Sequence, residues 1–304
     1  MTGFWFGFAF VVANAAAMVF HFALRLGQWA RTVAWLVCSG VIALSPYWVP
    51  REARPLRFVA CVASVCLLWK VYDAYRHPAA AMGMGAARWL AYLPNWFWFV
   101  LRRVPPGRPA ARDWRRVAIG APLMVAAVAL CVYLLRRDWS GVPFALQHSV
   151  KVLAFTVAIC LIGQTFAALY RQLVMPALDP FANPFTARTP AEFWRRWNRP
   201  FGDFFDAYVF RPSGGARRPV RATLTVFAVS GLMHEYVYDF ASGRVQGWQM
   251  LFFMVQGCAT AATLRVRPTA RAAPLWWAAT LAFNLATAAL FFRSVDGVIA
   301  FYQR

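Results

Sequence analysis

Residues Ala222 to Phe240 read ATLTVFAVSGLMHEYVYDF. A helix rising about 1.5 Å per residue needs roughly 20 mostly apolar residues to cross a hydrocarbon core about 30 Å thick. This run has the length, yet it carries three ionisable residues: His234, Glu235 and Asp239. Counted from Ala222, His234 lies roughly 18 Å along the helix axis, past the midpoint of the core. Ionisable groups at that depth are costly unless they face a protein interior or a wet cavity, so the cluster is a functional-site hypothesis by default. The competing reading is a paired polar network that only holds helices together.

Working outward, similar apolar runs recur at Phe4 to Leu24, Thr32 to Val49, Phe58 to Tyr72, Val117 to Leu135, Val152 to Leu169, Trp248 to Leu264 and Leu275 to Phe292. With Ala222 to Phe240 they predict an all-α, polytopic transmembrane bundle of about eight spans. Phe58 to Tyr72 is short and holds Lys70. Trp89 to Leu101 is apolar but short and contains Pro94, so it reads as an interfacial or re-entrant segment. The first run lacks a basic n-region and a clear cleavage site, and is read as a mature helix. No internal repeat or inverted pair of broken helices is visible. Residues 1–304 read as a single membrane-embedded domain, with Pro105 to Pro109 as a local joint.

Composition agrees. Of the 304 residues 61% are hydrophobic and only 14% charged, against about 45–50% and about 25% in soluble domains. The net charge of +21 comes mainly from arginines between the spans. This is the positive-inside pattern and implies no nucleic-acid partner. Arg102 to Arg116 holds six arginines, Arg188 to Arg221 eight and Arg265 to Arg271 three. These loops are placed in the cytoplasm, in alternation with poorer ones. The arginine-rich, alanine-rich usage suggests a bacterial chain and hence the inner membrane. One loop breaks the alternation: Arg51, Arg54 and Arg57 fall on the outer side, unless Trp89 to Leu101 crosses. The six cysteines lie in apolar runs without a CxxC pair, which predicts reduced packing residues and no disulfide framework.

The loop from Asn183 to Pro219 is the least ordinary part of the chain. Thr189-Pro190-Ala191-Glu192 has the form of a capping box with proline at the first helical position. The helix runs on to Asn198, where Pro200 is expected to end or kink it, and a second short helix follows from Phe201 to Phe210. Phe193, Trp197, Phe201, Phe204, Phe205 and Tyr208 recur at helical spacing. They predict a cytoplasmic amphipathic helix pair lying in the membrane interface. That reading leaves Asn198 unexplained, a poor helix former set just before the break.

The other histidines compare poorly with His234. His21 ends a span, His77 sits in a loop and His148 stands at a span entrance. No second His or Cys stands at metal-ligand spacing, so no metal site is expected. GxSxG elbows, P-loops and dinucleotide fingerprints are likewise missing.

Two segments together resemble a known family. Phe193-Trp194-Arg195-Arg196-Trp197-Asn198, followed by Pro200 and the aromatic run to Arg211-Pro212, resembles the FWxxWN loop of the membrane-bound O-acyltransferase superfamily. Ser230-Gly231-Leu232-Met233-His234-Glu235-Tyr236 resembles that family's histidine helix in its HEY form. The likeness is nearest the wax synthase branch and covers roughly residues 180 to 245. It implies an acyl-CoA co-substrate without a further cofactor, a lipid-soluble alcohol acceptor, His234 as catalytic base and Asn198 as its partner. Trp194, Trp197, Glu235 and Tyr236 would support them. Glu235 would hold the imidazole tautomer or pair with an arginine, and Arg195, Arg196 and Arg199 would meet coenzyme A phosphates. A neutral imidazole suits the role, since it can take an alcohol's proton as the oxygen attacks a thioester. The alternatives are acylation of a polar acceptor such as a glycan or secondary metabolite, and a proton-coupled transporter relaying through His234, Glu235 and Asp239.

Overall fold

A computed structural model describes residues 1–105, 111–173 and 175–302. Most of the expected joint at Pro105 to Pro109 therefore lies outside the described residues. The first three apolar runs become long helices, α1 (Thr2–Ala23), α2 (Gln28–Leu44) and α3 (Arg54–Arg76), and after His77 a single further turn, α4 (Pro78–Met82), follows α3. After α5 (Ala86–Tyr92) come α6 (Ala111–Arg136) and α7 (Phe144–Leu173). The loop helices α8 (Pro190–Arg196) and α9 (Arg199–Phe205) precede α10 (Pro219–Ser242), α11 (Trp248–Thr263) and α12 (Ala273–Asp296). No strand occurs among the described residues. The protein is an all-α polytopic membrane bundle.

Among the described residues six helices are long and apolar enough to cross a bilayer: α1, α2 with its continuation to Trp48, α3, α6, α7 and α12. The other two expected spans are helices of a different kind. α10 has 24 residues but carries the ionisable cluster, and α11 has 16, fewer than the roughly 20 of an ordinary span. Both are packed within the bundle, α10 against α3 and α11, and α11 against α12.

Lys70 and Asp73 explain why α3 tolerates buried charge and why Trp89 to Leu101 does not form a crossing helix. Both side chains are fully buried. Lys70 Nζ donates to the carbonyls of Tyr92 at 2.5 Å and Asn95 at 2.6 Å. Asp73 accepts from the Leu101 amide at 2.9 Å and from the Tyr208 hydroxyl. Only α5 in this segment is helical. The irregular backbone after it finds its partners on α3, the condition under which non-helical chain survives at membrane depth.

Two of the arginines in the Arg51 to Arg57 loop find partners within the protein. Arg54 donates to the Gly297 carbonyl at 3.2 Å. This contact holds the loop beside the C-terminus of α12, opposite the arginine-rich loop that precedes that helix. Arg57 is buried, its guanidinium 4.8 Å from the Phe240 ring centroid and 5.8 Å from that of Tyr47, a cation–π arrangement.

The loop helices differ from their sequence reading at the break. Thr189 caps α8, its hydroxyl accepting from the Glu192 amide at 3.1 Å. The reciprocal bond runs from the Arg188 amide to Glu192 at 2.7 Å. Pro200 does not end this helix. Trp197 is already extended and Asn198 adopts φ 44° and ψ 56°, a left-handed conformation that asparagine tolerates better than most residues. Pro200 sits in the first turn of α9, where its missing N–H costs nothing. α9 ends at Phe205 and a π-helical turn, Asp206–Phe210, follows. The aromatic face packs largely on α3: Phe204 stacks on Trp69 at 4.3 Å and 3°, with Phe201 and Phe205 edge-on to the same ring.

Candidate active site

Two glycines allow α10 and α11 to pack closely. A Cβ on Gly231 would come within 3.0 Å of Met250 Sδ and 3.2 Å of its Cα. A Cβ on Gly257 would come within 2.7 Å of Phe227 Cβ. Each helix thus offers a bare patch to a bulky residue of the other, and the close packing sets Phe253 against His234, ring centroids 4.3 Å apart. Phe291 of α12 closes a third side at 6.0 Å. The imidazole is only partly buried.

Side chains on a helix lean toward its N-terminus, over the preceding turn. His234 follows this rule, and its Nδ1 lies 2.8 Å from the Ser230 carbonyl. A carbonyl only accepts, so Nδ1 carries the proton and the lone pair sits on Nε2. The helix itself thus fixes the tautomer a general base requires.

Glu235 has neither of its expected partners. Its carboxylate accepts from the amides of Gly247 at 3.2 Å and Met250 at 2.8 Å. These are unsatisfied donors at the start of α11, so Glu235 caps that helix from outside it. Asp239 accepts from the Gln246 amide at 3.0 Å and completes the same turn. Tyr236 donates to the Ala43 carbonyl at 2.6 Å, tying α10 to the end of α2. Both Glu235 and Tyr236 therefore hold α10 in place around the histidine.

The loop reaches the site through Trp194. Its Nε1 donates to Gln256 Oε1 at 2.9 Å, and its ring packs on Phe227, Phe252 and Phe253. Phe253 thus touches both Trp194 and His234. Gln256 is fully buried and donates onward to Thr287 at 2.8 Å and Asn284 at 3.4 Å, joining α8, α11 and α12. Trp197 does not point to this cluster. It stacks on Phe193 and contacts Phe181. No described contact joins Asn198 directly to His234.

The three loop arginines separate. Arg195 is exposed. Arg196 spends its terminal nitrogens on Glu192, Thr186 and the Asn183 carbonyl. Arg199 faces Asp203, whose carboxyl is raised above the ordinary range by burial in spite of Arg103 and Arg199 nearby.

Sequence reading missed Gln256, Asn284, Thr287 and Phe253. A signal existed: Gln249 and Gln256 stand seven residues apart in one apolar run, and Asn284 and Thr287 three apart in the next. Uncharged amides inside spans draw less notice than a histidine.

Comparison with known proteins places the chain in a family. The model of the MBOAT, membrane-bound O-acyltransferase family matches residues 120–295, from within α6 to the last turn of α12. The chain is 28% identical over 189 residues to a probable long-chain-alcohol O-fatty-acyltransferase 9 of Arabidopsis thaliana, covering 58% of this chain and 54% of that protein. It is 28% identical over 172 residues to a long-chain-alcohol O-fatty-acyltransferase of Simmondsia chinensis, covering 53% and 48%. An acyl-CoA–sterol O-acyltransferase 1 of Arabidopsis thaliana is 27% identical over 162 residues, covering 49% and 47%. The chain spans about half the length of these curated relatives.

Proposed function

The chain belongs to the membrane-bound O-acyltransferase family, and on that premise we propose that it transfers a fatty acyl group from acyl-CoA to the hydroxyl of a lipid-soluble alcohol, in the manner of a wax synthase. The observation that carries the reading is the His234 Nδ1–Ser230 bond, which leaves Nε2 as a proton acceptor inside the helix bundle. In this mechanism Nε2 takes the alcohol proton as the oxygen attacks the thioester carbonyl carbon. The tetrahedral intermediate collapses, the C–S bond breaks, and the imidazolium returns its proton to the departing thiolate. The products are an ester and free coenzyme A. Asn198 is assigned to the thioester oxygen, where its amide would offset developing negative charge.

Greasy substrates suit a histidine set inside the helix bundle, while coenzyme A stays at the arginine-rich end, which we assign to the cytoplasmic face of a bacterial inner membrane. Arg195 and Arg199 are its phosphate contacts in this scheme. The relay reading has less support. It needs His234 to pass protons to Glu235, but the imidazole donates to Ser230 and Glu235 accepts from α11 amides.

The test is thiol release by purified protein given a fatty acyl-CoA and a panel of alcohols, sterols and glycans. Free thiol and ester should form with the wild type and long-chain alcohols, and fail to form with His234→Ala. Full turnover by a normally folded His234→Ala protein overturns the assignment of the base. A preference for glycans overturns that of the acceptor.

A further inference from the structure

We propose that the groove between α6 and α7, at the arginine-rich end of the bundle, binds an anionic phospholipid, with its headgroup phosphate on Arg112 and Arg115 and one acyl chain along the helices below. The groove has a volume of about 790 Å³, and Arg112, Arg115 and Arg116 stand at its mouth. Ile119 and Leu123, further along α6, and Leu161 of α7 line it beside Gln164 and Thr165. The α6 residues recur every three or four positions, so they share one face of the helix. Guanidinium groups thus lead to an apolar wall, matching an amphiphile with a negative head.

Local charge is unbalanced. Asp113 accepts from Arg171 Nε and Nη2, both at 2.8 Å, while Asp179 lies 3.1 Å from Arg116 and 2.9 Å from Arg171. These two acids are taken by those two arginines. Arg112 and Arg115 are exposed, and neither has a carboxylate partner among the described ion pairs. Two free guanidinium groups one turn apart at the membrane surface suit a phosphodiester. None of the residues lining the groove is among those that touch His234, so the groove is separate from that site.

The test reconstitutes the protein in bilayers of equal phosphatidylglycerol and phosphatidylcholine, extracts it in mild detergent, and counts retained lipid per chain by native mass spectrometry. The wild type should retain phosphatidylglycerol in preference. Arg112→Gln/Arg115→Gln should lower that retention by roughly tenfold or more, given the attraction of each surface arginine for anionic lipid. Arg267→Gln/Arg271→Gln removes the same charge from another loop and should leave retention unchanged. Leu123→Trp keeps every charge but fills the chain path, and should also abolish retention. The proposal is overturned by any of four results: no lipid preference in the wild type, full retention by the Arg112/Arg115 variant, equal loss in the Arg267/Arg271 control, or full retention by Leu123→Trp.

Discussion

His234 is tied to Ser230, one turn earlier on the same helix, by a 2.8 Å bond from the imidazole Nδ1 to the backbone carbonyl. The acceptor is main chain, so the serine side chain is dispensable for the tautomer. Ser230→Ala should therefore keep near wild-type turnover. His234→Ala should lower kcat by about 10²–10⁴-fold, the usual contribution of a general base. Thiol release measures both. Nitrogen NMR of labelled imidazole should show Nδ1 protonated and Nε2 bare.

Glu235 is the sequence neighbour of His234, yet its carboxylate accepts from two amides at the start of α11. Glu235→Ala should cost about 1–3 kcal/mol by stranding two amides, seen as a lower Tm. Glu235→Gln keeps one good acceptor oxygen and should lose less. Because the Ser230 carbonyl sets the tautomer, both variants should keep Nδ1 protonated in nitrogen NMR of the labelled imidazole. A changed tautomer in Glu235→Gln would mean that the carboxylate, and not the Ser230 carbonyl, sets the imidazole.

Trp194 and Gln256 form the polar link between loop and bundle, at 2.9 Å. Trp194→Phe removes the donor and leaves a buried carbonyl oxygen unsatisfied, a cost of about 1–3 kcal/mol. Gln256→Leu removes the acceptor. If the two act through one bond, the double variant should lose less than the sum of the singles, with a coupling of about 1 kcal/mol in a double-mutant cycle on Tm or kcat/KM. Strict additivity would show that the bond carries nothing.

The residues that sequence reveals best are those whose chemistry conflicts with their surroundings. His234 stands out in an apolar run, and Thr189-Pro190 announces a helix start by local geometry alone. The break at Asn198 was legible as an anomaly, but its cause was not. The proline two residues on suggested a helix end, whereas the structure makes the break with a left-handed asparagine and gives Pro200 to the next helix. The role of Glu235 depends on where α11 begins in space, which lies beyond any local pattern. Lys70 is similar: it looks misplaced in a short span until the segment from Tyr92 to Asn95 supplies its partners.

Gly257 and Gly231 are unremarkable in sequence, and their value lies in the helix opposite. An added Cβ at Gly257 would lie 2.7 Å from Phe227 Cβ, an atom fixed to its own backbone, so the helices must separate. At Gly231 the nearest atom is Met250 Sδ at 3.0 Å, which can swing away, but the Met250 Cα at 3.2 Å cannot. Gly257→Ala should therefore destabilise the bundle by about 1–3 kcal/mol, the range for overpacking, and Gly231→Ala by less. Both should lower kcat, because Phe253 reaches His234 only while α10 and α11 stay close. Gly202 of α9 is the control, since nothing lies within 4 Å of its added Cβ and its φ is not positive. Gly202→Ala should be neutral or stabilise by about 0.5–1 kcal/mol through backbone entropy. If thermal unfolding ranks Gly257→Ala with Gly202→Ala, the close α10–α11 packing does not hold the site.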